Sequence, residues 1–255
     1  MPAVRKPRCA YWICFTPRTG SALLCQLLRA TGVAGRPEEY FWRDNEPRLR
    51  AQWHVTSYSD YLERALEEGT TPNGIFGAKV DTGVYLAHFF RQLRTVPQFA
   101  EPTLSQDAIL AALFPDLKCI WLTRRNKVRQ AVSWWKAVQS NVWVQPTTEA
   151  PRPIPPLTYH FAAIDQLVNE SLMREAAWAE YFAAWQITPL TIVYEDFIAD
   201  YAGTVAQILR YLEVSDPYVL EATAITLARQ ADSLSEAWVQ QYREEKQQHW
   251  PNRAW

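Results

Sequence analysis

The apolar positions of this chain form four short runs with few polar interruptions, and the stretches between them carry apolar residues at helical spacing. The runs cover residues 11–15, 75–80, 117–123 and 190–194. Apolar runs without strict alternation favour strands that are buried on both faces, as in a parallel sheet covered by helices. Because the predicted strands alternate with helices, the sequence predicts an α/β fold with right-handed crossovers.

Apolar residues three and four positions apart predict the helices. One follows the first strand and its loop, where Leu23, Leu24, Leu27 and Leu28 recur at helical spacing. The others cover residues 59–68, 83–94, 105–113, 127–140, 158–187, 204–212 and 217–227. A polar tail is expected from Arg229, and the five prolines within residues 146–156 predict a surface loop that could act as a lid.

Length and charge set the class of protein. With 255 residues, 48% of them hydrophobic, the chain can bury one substantial core, so we expect a single domain over residues 1–255. The formal net charge of -1 gives no general field that would hold nucleic acid or an anionic membrane, so any anion site must be local. The apolar stretch behind Arg8 is too short for a signal peptide or a membrane span, which predicts a cytoplasmic protein without membrane insertion.

The cysteines and histidines do not predict a metal site. Cys9, Cys14, Cys25 and Cys119 lie in or beside apolar runs, without a C-x-x-C pair, and are expected to be buried, reduced thiols. The four histidines are scattered along the chain. The aromatic clusters at residues 40–42 and 134–135 could line a cleft for a sugar or another ring, although burial in the core is the safer expectation for each residue.

The segment with the clearest chemistry is the loop at residues 16–21, TPRTGS, between the first strand and its helix. Backbone N–H groups at the start of a helix, an arginine and hydroxyls predict a site for phosphate or sulfate. An ordinary strand-to-helix turn is the alternative. The phosphate loop of ATP and GTP enzymes requires G-x-x-x-x-G-K-[ST], and this loop has one glycine and no lysine after it.

A second cationic cluster follows the third predicted strand. Arg124, Arg125 and Lys127 lie at the start of a predicted helix, where a cation opposes the helix dipole by about 0.3–1 kcal/mol. A bound anion would remove that conflict. We predict this role for Arg124. For Arg125 and Lys127, side chains that point away from the helix into solvent are at least as good an explanation, since three long side chains cannot all point inward.

Charged pairs also follow the other two strands. Lys79 and Asp81 come at the end of the second strand, and Glu195 and Asp196 follow the fourth, where local capping and pairing is expected. Since the carboxyl ends of parallel strands share one edge of a sheet, all four segments should meet in one crevice. Two anion positions in one crevice suggest a ligand with two anionic groups.

The motifs resemble a known family. TPRTGS, LTRRNKVRQAVSWW and VYEDF resemble the cofactor elements of sulfotransferases that use 3′-phosphoadenosine 5′-phosphosulfate (PAPS), and RATGVAGRPEEYF, WKAVQ and RQADSLSEAWVQQYR resemble the Stf0 family. The resemblance is strong over residues 9–42, 72–82, 117–143 and 190–243. It implies a P-loop-like sulfotransferase fold, PAPS as co-substrate, no metal, and a carbohydrate or carbohydrate-containing acceptor. It also suggests a homodimer.

The resemblance assigns residues to the donor. By similarity, the 5′-phosphosulfate would be cradled by Arg18, Thr19, Gly20, Ser21 and Ala22. Arg124 and Ser133 would hold the 3′-phosphate, Tyr194 would lie near the adenine, and Arg229 would close over the nucleotide. Ala22 stands where many relatives have a serine or threonine, so one hydroxyl contact is missing.

The resemblance places the general base on Glu39, in GRPEEYF. On residue types alone, Pro37-Glu38-Glu39 is equally well explained as a favourable first helical turn. Asp81 is the second candidate base. Lys79 could stabilise the leaving-group or sulfuryl oxygens, or could simply pair with Asp81. The segment after Phe41 matches the family poorly, so the resemblance does not identify the individual acceptor.

Two other functions stay open from sequence alone. One is an ATP-dependent small-molecule kinase, which the missing G-K-[ST] disfavours. The other is a non-catalytic protein that binds a nucleotide or a partner on the same fold.

Overall fold

The described residues form one four-stranded parallel sheet with helices around it. The computed structural model describes residues 6–114, 116–147, 153–220, 227 and 232–255. The strands are β1 (Cys9–Phe15), β2 (Ile75–Val80), β3 (Leu117–Thr123) and β4 (Leu190–Val193), in the order β2-β1-β3-β4. All three neighbouring pairs are parallel. The predicted α/β fold with a central parallel sheet is therefore confirmed.

Helices cover both faces of this sheet. The helices of the described residues are α1 (Ser21–Ala30), α2 (Glu46–Trp53), α3 (Tyr58–Gly69), α4 (Val84–Leu93), α5 (Gln106–Leu113), α6 (Lys127–Ser140), α7 (Phe161–Ala184), α8 (Tyr194–Phe197), α9 (Tyr201–Tyr211) and α10 (Ser233–Lys246). A 3₁₀ turn covers Pro97–Phe99. Within these described segments, no helix is long and apolar enough to cross a membrane.

Strand β1 is apolar throughout because its two sides pack into two different cores. Tyr11 and Ile13 face a core that includes residues of α1 and α9, whereas Trp12 and Cys14 face a core built with α3, α4, α5 and α7. Every residue of β1 is buried. A side chain on either face of this central strand therefore leaves water on folding, which explains the uninterrupted apolar run. All four cysteines are buried and free, as predicted.

A third apolar cluster joins α6, α7 and α10. It contains Trp238, Val239 and Tyr242 of α10, packed with residues of the other two helices. The expectation of a polar tail from Arg229 is therefore wrong over the described part of that segment. Only three of the fourteen residues of α10 are buried, which makes too narrow a stripe to stand out in the sequence. Arg229 itself lies outside the described residues.

Several predicted bounds differ from the observed ones by one to three residues, as at α7 and α9, and two differences are larger. Helix α2 was not predicted, because its residues EPRLRAQW bury only Glu46 and Leu49. Residues 217–220 are not helical, and most of the rest of the helix predicted over 217–227 lies outside the described residues. In the proline-rich segment, residues 153–156 are exposed and irregular, as expected for a surface loop.

Helix α7 contacts the carboxyl ends of three strands through neighbouring residues. Arg174 pairs with Asp81, just after β2. Glu175 accepts a hydrogen bond from the hydroxyl of Thr123, the last residue of β3. Trp178 donates from Nε1 to the carbonyl oxygen of Phe15, the last residue of β1, across 3.1 Å. One helix thus braces the edge of the sheet where the sequence predicts the site.

Candidate active site

The strand order places the crevice between β1 and β3. The chain moves from β1 to β2 on one side and later to β3 on the other side of β1. Ligands of open parallel sheets bind where connections leave neighbouring strands in opposite directions, beyond the carboxyl ends. Arg18 follows β1 at this point and Arg124 follows β3. Arg124 donates from Nη1 to the carbonyl oxygen of Arg18 across 3.1 Å, so the two predicted anion-binding segments meet.

The loop at residues 16–21 has a strained backbone. Both Arg18 and Gly20 adopt left-handed conformations, with φ angles of 67° and 87°. For a residue with a Cβ atom this conformation costs about 1–2 kcal/mol. A Cβ atom on Gly20 would also lie 2.7 Å from Cδ2 of Tyr194. Only glycine fits at position 20, and strain of this kind clusters at ligand-binding turns.

Helix α6 holds this loop in place. Gln130, which is fully buried, donates from Nε2 to Oγ1 of Thr16 at 2.9 Å and to the carbonyl oxygen of Pro17 at 2.8 Å. Thr19 donates from Oγ1 to the carbonyl oxygen of Thr16 at 2.8 Å. The sequence analysis did not single out Gln130. A polar residue on the buried face of the predicted helix over 127–140 is the signal that could have found it.

The helix that follows the loop begins without a side-chain cap. Thr19 is buried behind the loop, Gly20 is the N-cap residue of α1, and Ser21 and Ala22 form its first turn. The backbone N–H groups of the first turn have no partner within the helix and bind anions readily. The predicted strand, loop and helix are confirmed.

Arg18 lies in a site that favours a bound anion. It donates from Nε to Oγ of Ser133 at 2.9 Å and from Nη1 to the carbonyl oxygen of Trp143 at 2.5 Å. Burial, and next to it the charge of Arg124, lower the pKa of Arg18 to about 10. The guanidinium stays charged at neutral pH, and a negative ligand would relieve the repulsion between the two arginines.

Tyr194 completes this side of the crevice. Its ring centroid lies 4.5 Å from Cζ of Arg124, and its ring edge is packed against Gly20. The strand predicted to end at Tyr194 ends at Val193, and Tyr194 begins the short helix α8. The structure therefore brings Arg18, Gly20, Arg124, Ser133 and Tyr194 together.

The neighbours of Arg124 have structural partners. Arg125 is exposed and pairs with Asp196 at 2.5 Å, in agreement with a side chain that points into solvent. Lys127 does not point into solvent: it lies 2.5 Å from Oε1 of Glu175 on α7, so that explanation is wrong for this residue. Glu195 accepts from the backbone N–H groups of Arg125 and Asn126, which is the expected capping role.

On the side of β1 opposite to β3, Glu39 and Lys79 of β2 form an ion pair. Nζ of Lys79 lies 3.0 Å from Oε1 of Glu39 and 4.8 Å from the ring centroid of Phe15. Burial lowers the pKa of Lys79, but the nearby acidic groups, Glu39 foremost, together outweigh this effect and leave the pKa raised. Lys79 is therefore a cation paired with Glu39, and its suggested pairing with Asp81 is wrong.

The backbone around Glu39 is irregular rather than helical. Residues 35–39 carry no regular secondary structure, and the N–H of Lys79 donates to the carbonyl oxygen of Glu38 at 2.9 Å. The alternative explanation of Pro37-Glu38-Glu39 as a first helical turn is wrong. The side chain of Glu38 pairs with Arg29 instead of Lys79, so neighbouring glutamates point to different partners.

Asp81 is buried more deeply than Glu39. Its side chain has an exposed fraction of 0%, against 23% for Glu39. It accepts from the backbone N–H of Thr82 at 2.7 Å and pairs with Arg174. Burial raises its pKa to about 6 in spite of the arginine.

A polar and an aromatic side chain lie near Glu39: Asn45 was not predicted, whereas Trp42 belongs to the aromatic cluster at residues 40–42 that could line a cleft. Asn45 donates from Nδ2 to Oε2 of Glu39 at 3.2 Å. Trp42 is stacked on Tyr85, with ring centroids 3.6 Å apart and an interplanar angle of 18°. By contrast, Tyr40 and Phe41 belong to the core. Among the described residues, no group of three or more His, Cys, Asp or Glu side chains could hold a metal ion.

Comparison with known proteins decides the family. The family model described as Stf0 sulphotransferase matches residues 10–245. The chain belongs to the Stf0 sulphotransferase family. It is a sulfotransferase, as the resemblance of the motifs implied.

Two curated proteins are similar to this sulfotransferase over nearly its whole length. Trehalose 2-sulfotransferase of Mycolicibacterium smegmatis is 29% identical, covering 93% of this chain and 96% of the relative. Trehalose 2-sulfotransferase of Mycobacterium tuberculosis is also 29% identical, covering 92% of this chain and 94% of the relative.

A solved structure, the sulfotransferase domain from the Synechococcus PCC 7002 olefin synthase, matches with a TM-score of 0.38 and 15% identity. This match covers 94% of the sulfotransferase described here and 96% of that domain.

Proposed function

We propose that this sulfotransferase transfers a sulfuryl group from PAPS to a hydroxyl of a neutral, trehalose-like sugar or of a molecule that contains one. The observation that carries the proposal is the contact between Arg18 and Arg124, which sets two partly buried cations side by side at the switch point of the sheet. A donor with two separate anionic groups matches two linked cationic positions.

The donor would lie along the carboxyl ends of β1 and β3. The 5′-phosphosulfate would bind to Arg18 and to the first turn of α1, with Thr19, Gly20, Ser21 and Ala22. The 3′-phosphate would bind to Arg124 and Ser133, and the adenine would lie near Tyr194. Arg229 lies outside the described residues, and its proposed position over the nucleotide rests only on the family resemblance.

The residues present fit the reaction. PAPS, when bound, supplies the sulfuryl group. Glu39 would accept the proton of the attacking hydroxyl, and the backbone N–H groups of α1 and Arg18 would stabilise the charge that develops on the departing phosphate. Lys79 is paired with Glu39 and could reach the sulfuryl oxygens from the same position.

Glu39 suits the role of base better than Asp81. A general base must reach a proton on the substrate, and the Glu39 side chain is partly exposed whereas that of Asp81 is fully enclosed. Asp81 is also held by Arg174 and the N–H of Thr82.

The acceptor is proposed from the relatives and from the surroundings of Glu39. Both curated relatives are named for trehalose. The stacked pair of Trp42 and Tyr85 offers the kind of surface on which a sugar ring packs. A homodimer and a cytoplasmic location stay predictions.

Calorimetric titration of the wild-type protein with adenosine 3′,5′-bisphosphate tests the donor, with ATP plus Mg²⁺ as the comparison. We expect micromolar or tighter binding of the bisphosphate and no comparable binding of ATP. Turnover with PAPS is then measured on neutral disaccharides, starting with trehalose. A preference for ATP would favour a kinase, and no binding of either nucleotide would favour a non-catalytic protein.

A further inference from the structure

Asn45 is the N-cap residue of α2, but its side chain does not cap the helix. Asparagine is favoured at this position because its side-chain oxygen accepts a hydrogen bond from an N–H of the first turn. In this helix no side-chain cap bond is formed, and a proline stands in the first turn. Helix capping therefore does not explain why an asparagine stands at this position.

The amide is used for Glu39 instead. Nδ2 of Asn45 lies 3.2 Å from Oε2 of Glu39. The orientation of the amide follows from chemistry, because a carboxylate only accepts hydrogen bonds and the amide nitrogen is the donor. The other carboxylate oxygen, Oε1, lies 3.0 Å from Nζ of Lys79. Each oxygen of Glu39 thus has its own donor.

We propose that Asn45 is a positioning residue for Glu39 in the transfer reaction. The inference rests on the proposed role of Glu39 as general base. The terminal torsion of a glutamate side chain is broad, so a single partner leaves the carboxylate free to turn. Lys79 on one oxygen and Asn45 on the other fix its plane. Oε2 keeps a second lone pair, which can take the proton of the acceptor hydroxyl.

The position of Asn45 is itself well determined. Its N–H donates to the carbonyl oxygen of Trp42 at 3.0 Å, and its carbonyl oxygen accepts from the N–H of Leu49 at 3.0 Å. Trp42 is the residue stacked on Tyr85. The turn that supplies the aromatic surface for the acceptor therefore also aims the amide at the base.

The substitution Asn45→Asp separates positioning from helix capping. Aspartate caps helices as well as asparagine does, and its charge is favourable at a helix N-terminus. It cannot donate a hydrogen bond to Glu39. Its carboxylate is repelled by that of Glu39 and can turn to the uncapped N-terminus of α2, so we expect thermal unfolding and the affinity for adenosine 3′,5′-bisphosphate to stay near the wild-type level. Turnover with PAPS and the best neutral disaccharide should fall on the order of 10-fold or more, as for a lost hydrogen bond to a charged group.

A matched control is Ser105→Asp at the N-cap of α5. Ser105 accepts from the N–H of Ala108 at 3.2 Å, so this side chain does cap its helix. We expect wild-type turnover from this variant. Wild-type turnover from Asn45→Asp as well would overturn the proposal. Should Asn45→Asp fold poorly, Asn45→Ser, which also caps but is too short to replace the amide, gives the same comparison.

A double variant shows whether Asn45 acts through Glu39. If it does, Asn45→Asp combined with Glu39→Gln should turn over no more slowly than Glu39→Gln alone. If Asn45→Asp lowers turnover in the Glu39→Gln background by the same factor as in the wild type, the positioning role is overturned. Wild-type turnover from Glu39→Gln would instead overturn the base assignment, and a wild-type enzyme that sulfates no neutral sugar would overturn the proposed function on which the inference rests.

Discussion

Arg124 ties the loop after β1 to the end of β3 through the bond from its Nη1 to the carbonyl oxygen of Arg18. The guanidinium also lies over the ring of Tyr194, so one side chain contacts both segments that flank the proposed nucleotide. The two cations of the proposed donor site are therefore already held together by a contact within the protein.

Replacing Arg124 by alanine should weaken the binding of adenosine 3′,5′-bisphosphate far more than that of adenosine 5′-phosphate. Only the bisphosphate carries a 3′-phosphate, so only this nucleotide loses a charge-assisted contact. We expect its affinity to fall on the order of 10-fold or more relative to that of adenosine 5′-phosphate. Calorimetry with both nucleotides gives the ratio. Arg125→Ala is the matched control, because Arg125 pairs with Asp196 at the surface and should change neither affinity. Equal losses for both nucleotides in Arg124→Ala would remove the 3′-phosphate role.

Replacing Glu39 by glutamine should leave bisphosphate binding nearly unchanged and reduce turnover on the order of 100-fold or more, since a general base contributes about that factor. Steady-state kinetics with PAPS and a neutral disaccharide measure the loss. The neighbouring substitution Glu38→Gln is the control. Glu38 pairs with Arg29 and not with Lys79, so its turnover should stay near the wild-type level. Unchanged turnover in Glu39→Gln would move the base elsewhere, with Asp81 as the next candidate.

Asp81 should make the stability of the protein depend on pH. Burial raises its pKa from 3.8 to about 6, so between these values the folded protein holds a proton that the unfolded chain has lost. The free energy of unfolding should therefore fall as pH rises through this window, by about 3 kcal/mol in total. The stabilising contribution is fully present below about pH 4 and is lost above about pH 6.

Urea unfolding of the wild type and of Asp81→Asn at several pH values between about 4 and 7 tests this dependence. As pH rises, the free energy of unfolding of the wild type should fall relative to that of Asp81→Asn. Asp196→Asn, which changes an exposed carboxylate, should run parallel to the wild type. Parallel curves for Asp81→Asn would show that Arg174 keeps Asp81 ionised throughout.

Replacing Gly20 by alanine should damage both stability and donor binding. The new Cβ atom meets a left-handed backbone and the ring of Tyr194, and we expect a loss of about 1–3 kcal/mol in the free energy of unfolding together with weaker bisphosphate binding. Gly32→Ala is a matched control, because Gly32 has a φ angle of 70° but nothing lies within 4 Å of the added Cβ atom. It should lose stability through backbone strain alone and bind the bisphosphate normally. Normal binding by Gly20→Ala would contradict the proposed cradle.

The sheet and the loop after β1 could be predicted because their signals are local. Strand β3 was predicted with the bounds that the structure shows, and so was α6. In both, the apolar pattern lies within one continuous stretch. The same holds for Arg18 and Arg124, which follow predicted strands.

The remaining parts of the site depend on contacts between distant segments. Gln130 reaches Thr16 across 114 positions, and Arg174 reaches Asp81 across 93. Neither partner can be identified from its own surroundings in the sequence. Asn45 could not be predicted for a different reason. Its helix is short and mostly polar, so neither α2 nor its N-cap position has a periodic apolar pattern.

The three contacts of α7 with the strand ends place a limit on how this protein can change over evolution. Arg174, Glu175 and Trp178 each reach a different strand. One residue inserted between Glu175 and Trp178 would rotate everything beyond it by about 100° around the helix axis. Trp178 would then face away from Phe15 while Arg174 kept its place beside Asp81. We expect insertions and deletions among relatives to be accepted in the loops before and after α7, and to be rejected within this stretch of the helix.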